Sequence, residues 1–253
     1  MTAVTTERAG KVAEVTLAFW VLKIAATTLG ETGGDAVSMS LGLGYIVATA
    51  IFAVIFLVLV TAQVRARRFH PFLYWAVIVG TTTVGTTMAD FADRSLGIGY
   101  PGGSAILAGL LGLSLFAWWR TTGSISVSRI DTPVQESFYW VTILFSNTLG
   151  TALGDFLADD GGLGYLGGAA AFAVAIAVVV ALWRLTRVSP AGLFWAAFIL
   201  TRPLGATVGD FLDKPIADGG LALSRITASA VLAAFMVAAI LVTRPRAGAH
   251  GAG

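Results

Sequence analysis

Four aspartates stand at one fixed distance behind four tryptophans. The aromatic–Trp pairs Phe19-Trp20, Tyr74-Trp75, Tyr139-Trp140 and Phe194-Trp195 are followed, fifteen residues after each Trp, by Asp35, Asp90, Asp155 and Asp210. Ten residues after each Trp comes a glycine (Gly30, Gly85, Gly150, Gly205), and a small residue precedes each Asp (Gly34, Ala89, Gly154, Gly209). The shared core is G-x-x-x-[GA]-D, kept in register without a gap. Carboxylates gathered in an apolar setting cannot all stay ionised unless they bind a cation, share protons or pair with a base. Oxygen-only ligands suit hard cations such as Mg²⁺, Ca²⁺ or Mn²⁺. Asp35, Asp90, Asp155 and Asp210 are therefore candidate metal ligands, with Glu31 as a fifth.

Polar partners accompany these acids. Residues seven and four before each Asp share its side of a helix. They are Thr28 and Glu31, Thr83 and Thr86, and Thr148 and Thr151, whereas the fourth copy has Pro203 and Ala206. Asn147 and Arg202 flank this stripe at about 80°. The expected transport path is thus Thr28, Thr83, Thr86, Asn147, Thr148, Thr151 and Arg202. Arg202 either neutralises carboxylates or gates the path, and Pro203 beside it can kink the helix. Lys23, three residues after its Trp, is expected to snorkel to the interface. Asp93, Asp159, Asp160, Asp213 and Asp218 are expected in an aqueous outer vestibule, as acids that focus cations there. Gly30, Gly34, Gly85, Gly150, Gly154, Gly205 and Gly209 read as helix-packing positions, since small residues four apart let backbones approach. A structural role for the aspartates, as caps or interface anchors, is the competing reading.

The elements that position these groups follow from composition. Of 253 residues, 57% are hydrophobic and 12% charged, with mean hydropathy +0.84; a soluble domain is about 25% charged. Disorder is excluded by the apolar content. The lack of cysteine excludes disulfides and thiolate metal sites, and a net charge of +2 with scattered bases argues against nucleic acid as a partner. A spanning helix needs about 20 mainly apolar residues. Nearly pure apolar stretches lie at 45–63, 103–119, 165–183 and 226–243, alternating with polar-bearing ones at 14–36, 72–92, 137–157 and 191–212. The expectation is an all-α membrane protein of eight transmembrane helices, built as four parallel two-helix repeats (about 12–66, 67–121, 132–186 and 187–243). Their arrangement is pseudo-fourfold or two-plus-two. The odd helices lie inside, because polar groups in hydrocarbon must face the bundle interior. Segment 1–11 is read as a cytoplasmic N-terminal segment and 244–253 as a disordered tail. No signal peptide is expected, because the stretch MTAVTTERAGKVAEV lacks the short apolar core and small-residue cleavage site of one.

Charge sets the orientation. Arg8, Lys11, Arg65, Arg67, Arg68, Arg120, Arg129, Arg184, Arg187, Arg244 and Arg246 fall on the side of the termini, against Arg94, Lys214 and Arg225 opposite. Positive loops stay in the cytoplasm, so both termini are expected inside. An enzyme is not expected: neither His70 nor His250 lies in a span, and the intramembrane-protease string Gly-x-Gly-Asp is missing its first glycine in all four copies. No cofactor is expected. The expected partners are the lipid bilayer and a small inorganic cation, and no residue pattern speaks to oligomeric state.

The four copies, with FWAAFILTRPLGATVGDFLDKP as the most distinctive stretch, resemble bacterial integral membrane proteins built from four copies of a repeat of unknown function. The resemblance covers about residues 12–243 and implies a bacterial inner-membrane protein of repeated helix pairs. The stretch Glu31 to Asp35 is also similar to the Glu-x-Gly-Asp motif of cation exporters, with one residue more between the acids. The expected function is a divalent-cation transporter or exporter, with proton coupling as a corollary of its carboxylates. The alternative is a non-catalytic membrane scaffold or stress-related protein.

Overall fold

The computed structural model describes residues 10–127, 130 and 132–248, so Arg8, Arg129, His250 and the last residues of the tail lie outside the described residues. Eight helices follow one another: α1 (Leu17–Asp35), α2 (Gly44–Arg65), α3 (Pro71–Asp90), α4 (Tyr100–Thr122), α5 (Pro133–Asp155), α6 (Gly164–Leu185), α7 (Pro190–Asp213) and α8 (Arg225–Thr243). Their starts have local causes. Thr16 accepts a hydrogen bond from Phe19 N, and Thr132 and Gln135 form a capping box. Pro71, Pro133 and Pro190 occupy first-turn positions where a missing N–H costs nothing. α1, α3 and α5 each continue past their Asp as one π-helical turn, Ala36–Ser40, Phe91–Ser95 and Phe156–Asp160.

The chain then reverses through glycines. Gly42 and Gly44, Gly97 and Gly99, and Gly162 and Gly164 all have φ between 62° and 74°, the left-handed region that glycine enters without a Cβ clash. The fourth copy keeps only the second of these glycines, Gly219 with φ 85°, and Ala222 takes φ 52° after it.

Among the described residues, seven helices, α2 to α8, are long and apolar enough to cross a membrane; α1, with Lys23, Glu31 and Asp35, falls short of that measure. The even helices are the exposed ones: Ile46, Val54, Leu57, Val58, Leu113, Phe116, Val174, Val231 and Leu241 all point outward. The odd helices are buried and touch in a closed circuit, α1 on α3, α3 on α5, α5 on α7 and α7 on α1. Each even helix packs against the odd helix that follows it, α2 on α3, α4 on α5, α6 on α7, and α8 back on α1. The structural pair is therefore not the sequence repeat α1–α2 but the pair offset by one helix, with the last helix closing onto the first.

Two layers hold the circuit. At the Trp end, the first aromatic of each copy packs on the tryptophan of the next: Phe19 on Trp75, Tyr74 on Trp140, Tyr139 on Trp195 and Phe194 on Trp20, with ring centroids 5.5, 5.7, 6.3 and 5.7 Å apart. Trp75, Trp140 and Trp195 are buried, so they build an internal aromatic layer. The second layer is the glycine set. A Cβ on Gly30 would strike Thr82, one on Gly85 would crowd Asn147 and Thr148, one on Gly150 would strike Arg202, and one on Gly205 would strike Thr27. The glycine ten residues after the Trp thus receives residue seven of the next copy, and the fourth receives the first. Likewise Gly34 faces Thr86, Gly154 faces Ala206 and Gly209 faces Glu31.

This gives a direct expectation. Gly205→Ala forces Thr27 and its backbone outward and lowers stability by about 1–3 kcal/mol through overpacking. Gly112→Ala, which meets open space within α4, leaves the melting temperature of the detergent-solubilised protein unchanged or slightly raised. Equal losses at the two sites would contradict the close-packed circuit.

At the Trp end the residues before α1 pair with those after α8. Ala13 bridges Ala247, Glu14 N donates to Arg246 O at 2.9 Å, and Gly248 N donates to Val12 O at 2.9 Å. Residues 246–248 are therefore held beside residues 12–14, and residues 249–253 of the expected tail lie outside the described residues. Lys11 forms an ion pair with the buried Glu136 at 2.5 Å and donates to Val64 O at 2.9 Å.

Candidate functional site

The circuit of odd helices places polar groups in tiers along its interior. Nearest the aromatic layer, Lys23 is fully buried. Its Nζ donates to Asn147 Oδ1 at 3.0 Å and lies 4.1 Å from the Phe198 ring centroid. Asn147 Nδ2 donates to Thr81 Oγ1 at 2.8 Å. Lys23 thus does not snorkel: it reaches across the interior to a partner on α5.

The next tier is built on Arg202. Its Nη2 lies 3.0 Å from Glu31 Oε2 and 2.5 Å from both Thr86 Oγ1 and Thr151 Oγ1. Glu31, Thr86 and Thr151 are the same repeat position in copies one to three, eleven residues after the Trp. The fourth copy has Ala206 at that position, and Arg202 from the same copy fills the centre. All four of these polar residues are buried. Arg202 therefore neutralises Glu31 rather than one of the repeated aspartates. Nε and Nη1 of Arg202 have no hydrogen-bond partner.

The four aspartates form the third tier, divided two by two. Arg94 joins Asp90 and Asp155, at 3.2 Å to each. Lys214 joins Asp35 at 2.5 Å and Asp210 at 3.0 Å. Arg225 lies 3.7 Å from Asp35 and 3.5 Å from Asp213. Burial works against the Lys214 ammonium, yet Asp210, Asp35 and Asp213 outweigh it and raise its pKa, so it is a cation at neutral pH. Glu31, Asp35 and Asp210 each offer a carboxylate oxygen within 4.8 Å of the others, and all three are buried. Asp35 Oδ1 has no hydrogen-bond partner. Asp90 and Asp155 belong to the other pair and stand outside this triad.

The hydroxyls divide as well. Thr86 and Thr151 reach the interior, but Thr28, Thr83 and Thr148 donate to Ile24 O, Val79 O and Leu144 O of their own helices at 2.9–3.0 Å. Those three back-bond their helices and join no polar tier. The outer acids differ from a solvated vestibule. Asp93 and Asp213 are buried, and a Cβ on Gly103 would strike the Asp93 carboxylate. Asp159, Asp160 and Asp218 are exposed, and Asp159 accepts from Tyr100 Oη at 3.2 Å.

Sequence reasoning missed Arg94 and Lys214 as members of the site. A signal exists: copies two and four alone read Asp-Phe-x-Asp-Arg/Lys, in DFADR (90–94) and DFLDK (210–214). The base at the end of each string reaches its own copy's Asp, four residues back, and the Asp of the following copy.

The family model described as Repeat of Unknown Function (DUF347) matches residues 18–69, 73–124, 138–189 and 193–246, and the chain belongs to that family. No curated protein and no solved structure matches it.

Proposed function

We propose that this chain is a multi-pass transporter of a divalent cation such as Mn²⁺, Mg²⁺ or Ca²⁺. The observation that carries the reading is the buried triad of Glu31, Asp35 and Asp210, whose oxygens lie within 4.8 Å of one another. Such a set of oxygens suits a hard cation. Buried carboxylates held this close stay ionised only with positive charge among them. Asp90 and Asp155, tied to Arg94, line the way to the triad, as do Thr86 and Thr151. Carboxylates that release a cation can take up protons, so proton coupling accompanies this reading.

In the same reading all eight helices cross a bacterial inner membrane. α1 crosses despite its charges because Lys23, Glu31 and Asp35 are all buried and paired within the bundle. Arg65, Arg67, Arg68, Arg120, Arg184, Arg187, Arg244 and Arg246 gather at the Trp end, which the positive-inside rule puts in the cytoplasm with both termini. The triad then lies toward the outer end of the bundle.

A second reading has its own support. Arg94 and Lys214 pair all four repeated aspartates, as a scaffold with structural carboxylates requires. Purified protein in liposomes with an internal Mn²⁺-sensitive dye separates the two. The transport reading expects Mn²⁺ uptake above empty liposomes, reduced to background in Asp210→Asn. No uptake by the wild type, with a lowered melting temperature in the variant, would establish the scaffold.

A further inference from the structure

We infer that Lys214 is a tethered cation that the transported ion must displace, so that positive charge sits on the Asp35–Asp210 pair both when the site is loaded and when it is empty. The inference deepens the transport reading and rests on it. The Lys214 ammonium is already seated on two of the three triad carboxylates, Asp35 and Asp210. The third, Glu31, is held separately by Arg202. A metal ion and the ammonium cannot share the Asp35–Asp210 gap, because two cations held between the same pair of carboxylates repel each other.

The two bases differ in their freedom to leave. Arg202 lies inside α7, fully buried, with its stem against Gly150. Lys214 is the first residue beyond α7, with extended backbone (φ −72°, ψ 157°) and Pro215 after it. Its side chain is 10% exposed at the Asp end. It can swing without unwinding a helix. A destination stands beside it: the Asp213 carboxylate is buried, neither of its oxygens has a hydrogen-bond partner, and its nearest base is Arg225 at 3.5 Å. Asp35 Oδ1, buried and without a hydrogen-bond partner, remains available to an incoming ion.

The consequence for transport is specific. Three buried carboxylates left with only Arg202 on Glu31 and Arg225 at 3.7 Å from Asp35 are under-compensated and disfavoured. Without Lys214 the empty site could not return across the cycle, and only an ion-loaded site could move. Lys214 therefore makes net transport possible and lowers affinity by competing for the ligands.

The test uses full-length protein and Mn²⁺ as the probe. Lys214→Met is expected to tighten Mn²⁺ binding by at least about tenfold, one decade of affinity, measured by titration in detergent. In liposomes it is expected to retain exchange of Mn²⁺ for Mn²⁺ while losing net uptake into Mn²⁺-free vesicles. Lys214→Arg, which keeps the charge and adds a planar fork suited to two carboxylates, is expected to weaken Mn²⁺ binding and retain net uptake. The pair stays informative if the Met variant folds poorly, because the Arg variant moves in the opposite direction. Wild-type Mn²⁺ binding with unchanged or weaker binding in Lys214→Met, or unchanged binding in Lys214→Arg, would overturn the role of Lys214 and leave the transport reading standing. Absence of binding in both wild type and Lys214→Met would overturn both.

Discussion

Replacing Arg202 by methionine is expected to be the most damaging single change in the protein. The substitution keeps a long apolar stem against Gly150 but removes the charge that Glu31 faces at 3.0 Å. Glu31 would then be a buried carboxylate whose remaining hydrogen bond is from Thr86 at 3.3 Å. Breaking a buried ion pair by removing one partner costs about 3–5 kcal/mol, because the other charge is left uncompensated. At about 2–4 °C per kcal/mol for a chain of 150–250 residues, the melting temperature should fall by roughly 10 °C. Adding Glu31→Gln to Arg202→Met should restore a large part of that loss, since the stranded charge is gone. The comparison of single and double variants by thermal denaturation in detergent is decisive. A double variant that melts no higher than Arg202→Met would mean that the arginine acts through packing alone.

The second large effect concerns binding, and it splits four residues that the sequence presents as equivalents. Asp35→Asn and Asp210→Asn each remove a triad ligand, and each should weaken Mn²⁺ binding by about 100-fold, equivalent to about 2.7 kcal/mol. Asp90→Asn and Asp155→Asn break only the pairing with Arg94 and should weaken it several-fold at most, through the lost negative field. Asparagine preserves shape, so a folding defect is read separately from the melting curve. Four equal effects would return the site to a symmetric ring of aspartates and remove the special standing of Glu31, Asp35 and Asp210.

The reason that split was hidden is physical. The register from Trp to Asp is visible in the sequence because duplicated helices keep their spacing, and hydropathy marks the helices because apolar length is a local property. Which base meets which acid is set by contacts between copies. Arg94 reaches Asp155, 61 residues on, and Lys214 reaches Asp35, 179 residues back. The pairing depends on α7 closing against α1, and no local pattern records that. The alternation of DFADR and DFLDK with the first and third copies carries the clue, and it reads as two-plus-two in its charges while the glycine and aromatic contacts repeat four times.

The hydroxyl stripe shows a different failure. Anchoring the helix face on the aspartates selects positions eight and eleven after the Trp. The face that meets the interior is instead centred on positions seven, ten, eleven and fourteen, because glycines at ten and small residues at fourteen let the neighbouring helix in. Position eight lies about 100° round from position seven, so Thr28, Thr83 and Thr148 turn to their own backbones. Lys23 was misplaced for a related reason. Snorkelling assumes that a lysine near a helix end has only the interface to reach, whereas the circuit brings Asn147 within 3.0 Å.

The most direct test of the central claim, a hard-cation site at Glu31, Asp35 and Asp210, is a thermal-shift titration of the purified protein with Mg²⁺, Ca²⁺, Mn²⁺, Co²⁺ and Ni²⁺, alongside Asp35→Asn. An ion that binds only the folded state raises the melting temperature with its concentration. Selective stabilisation by one of the hard ions Mg²⁺, Ca²⁺ or Mn²⁺ is expected, abolished in Asp35→Asn. No shift with any ion, or a shift that persists undiminished in Asp35→Asn, would contradict it.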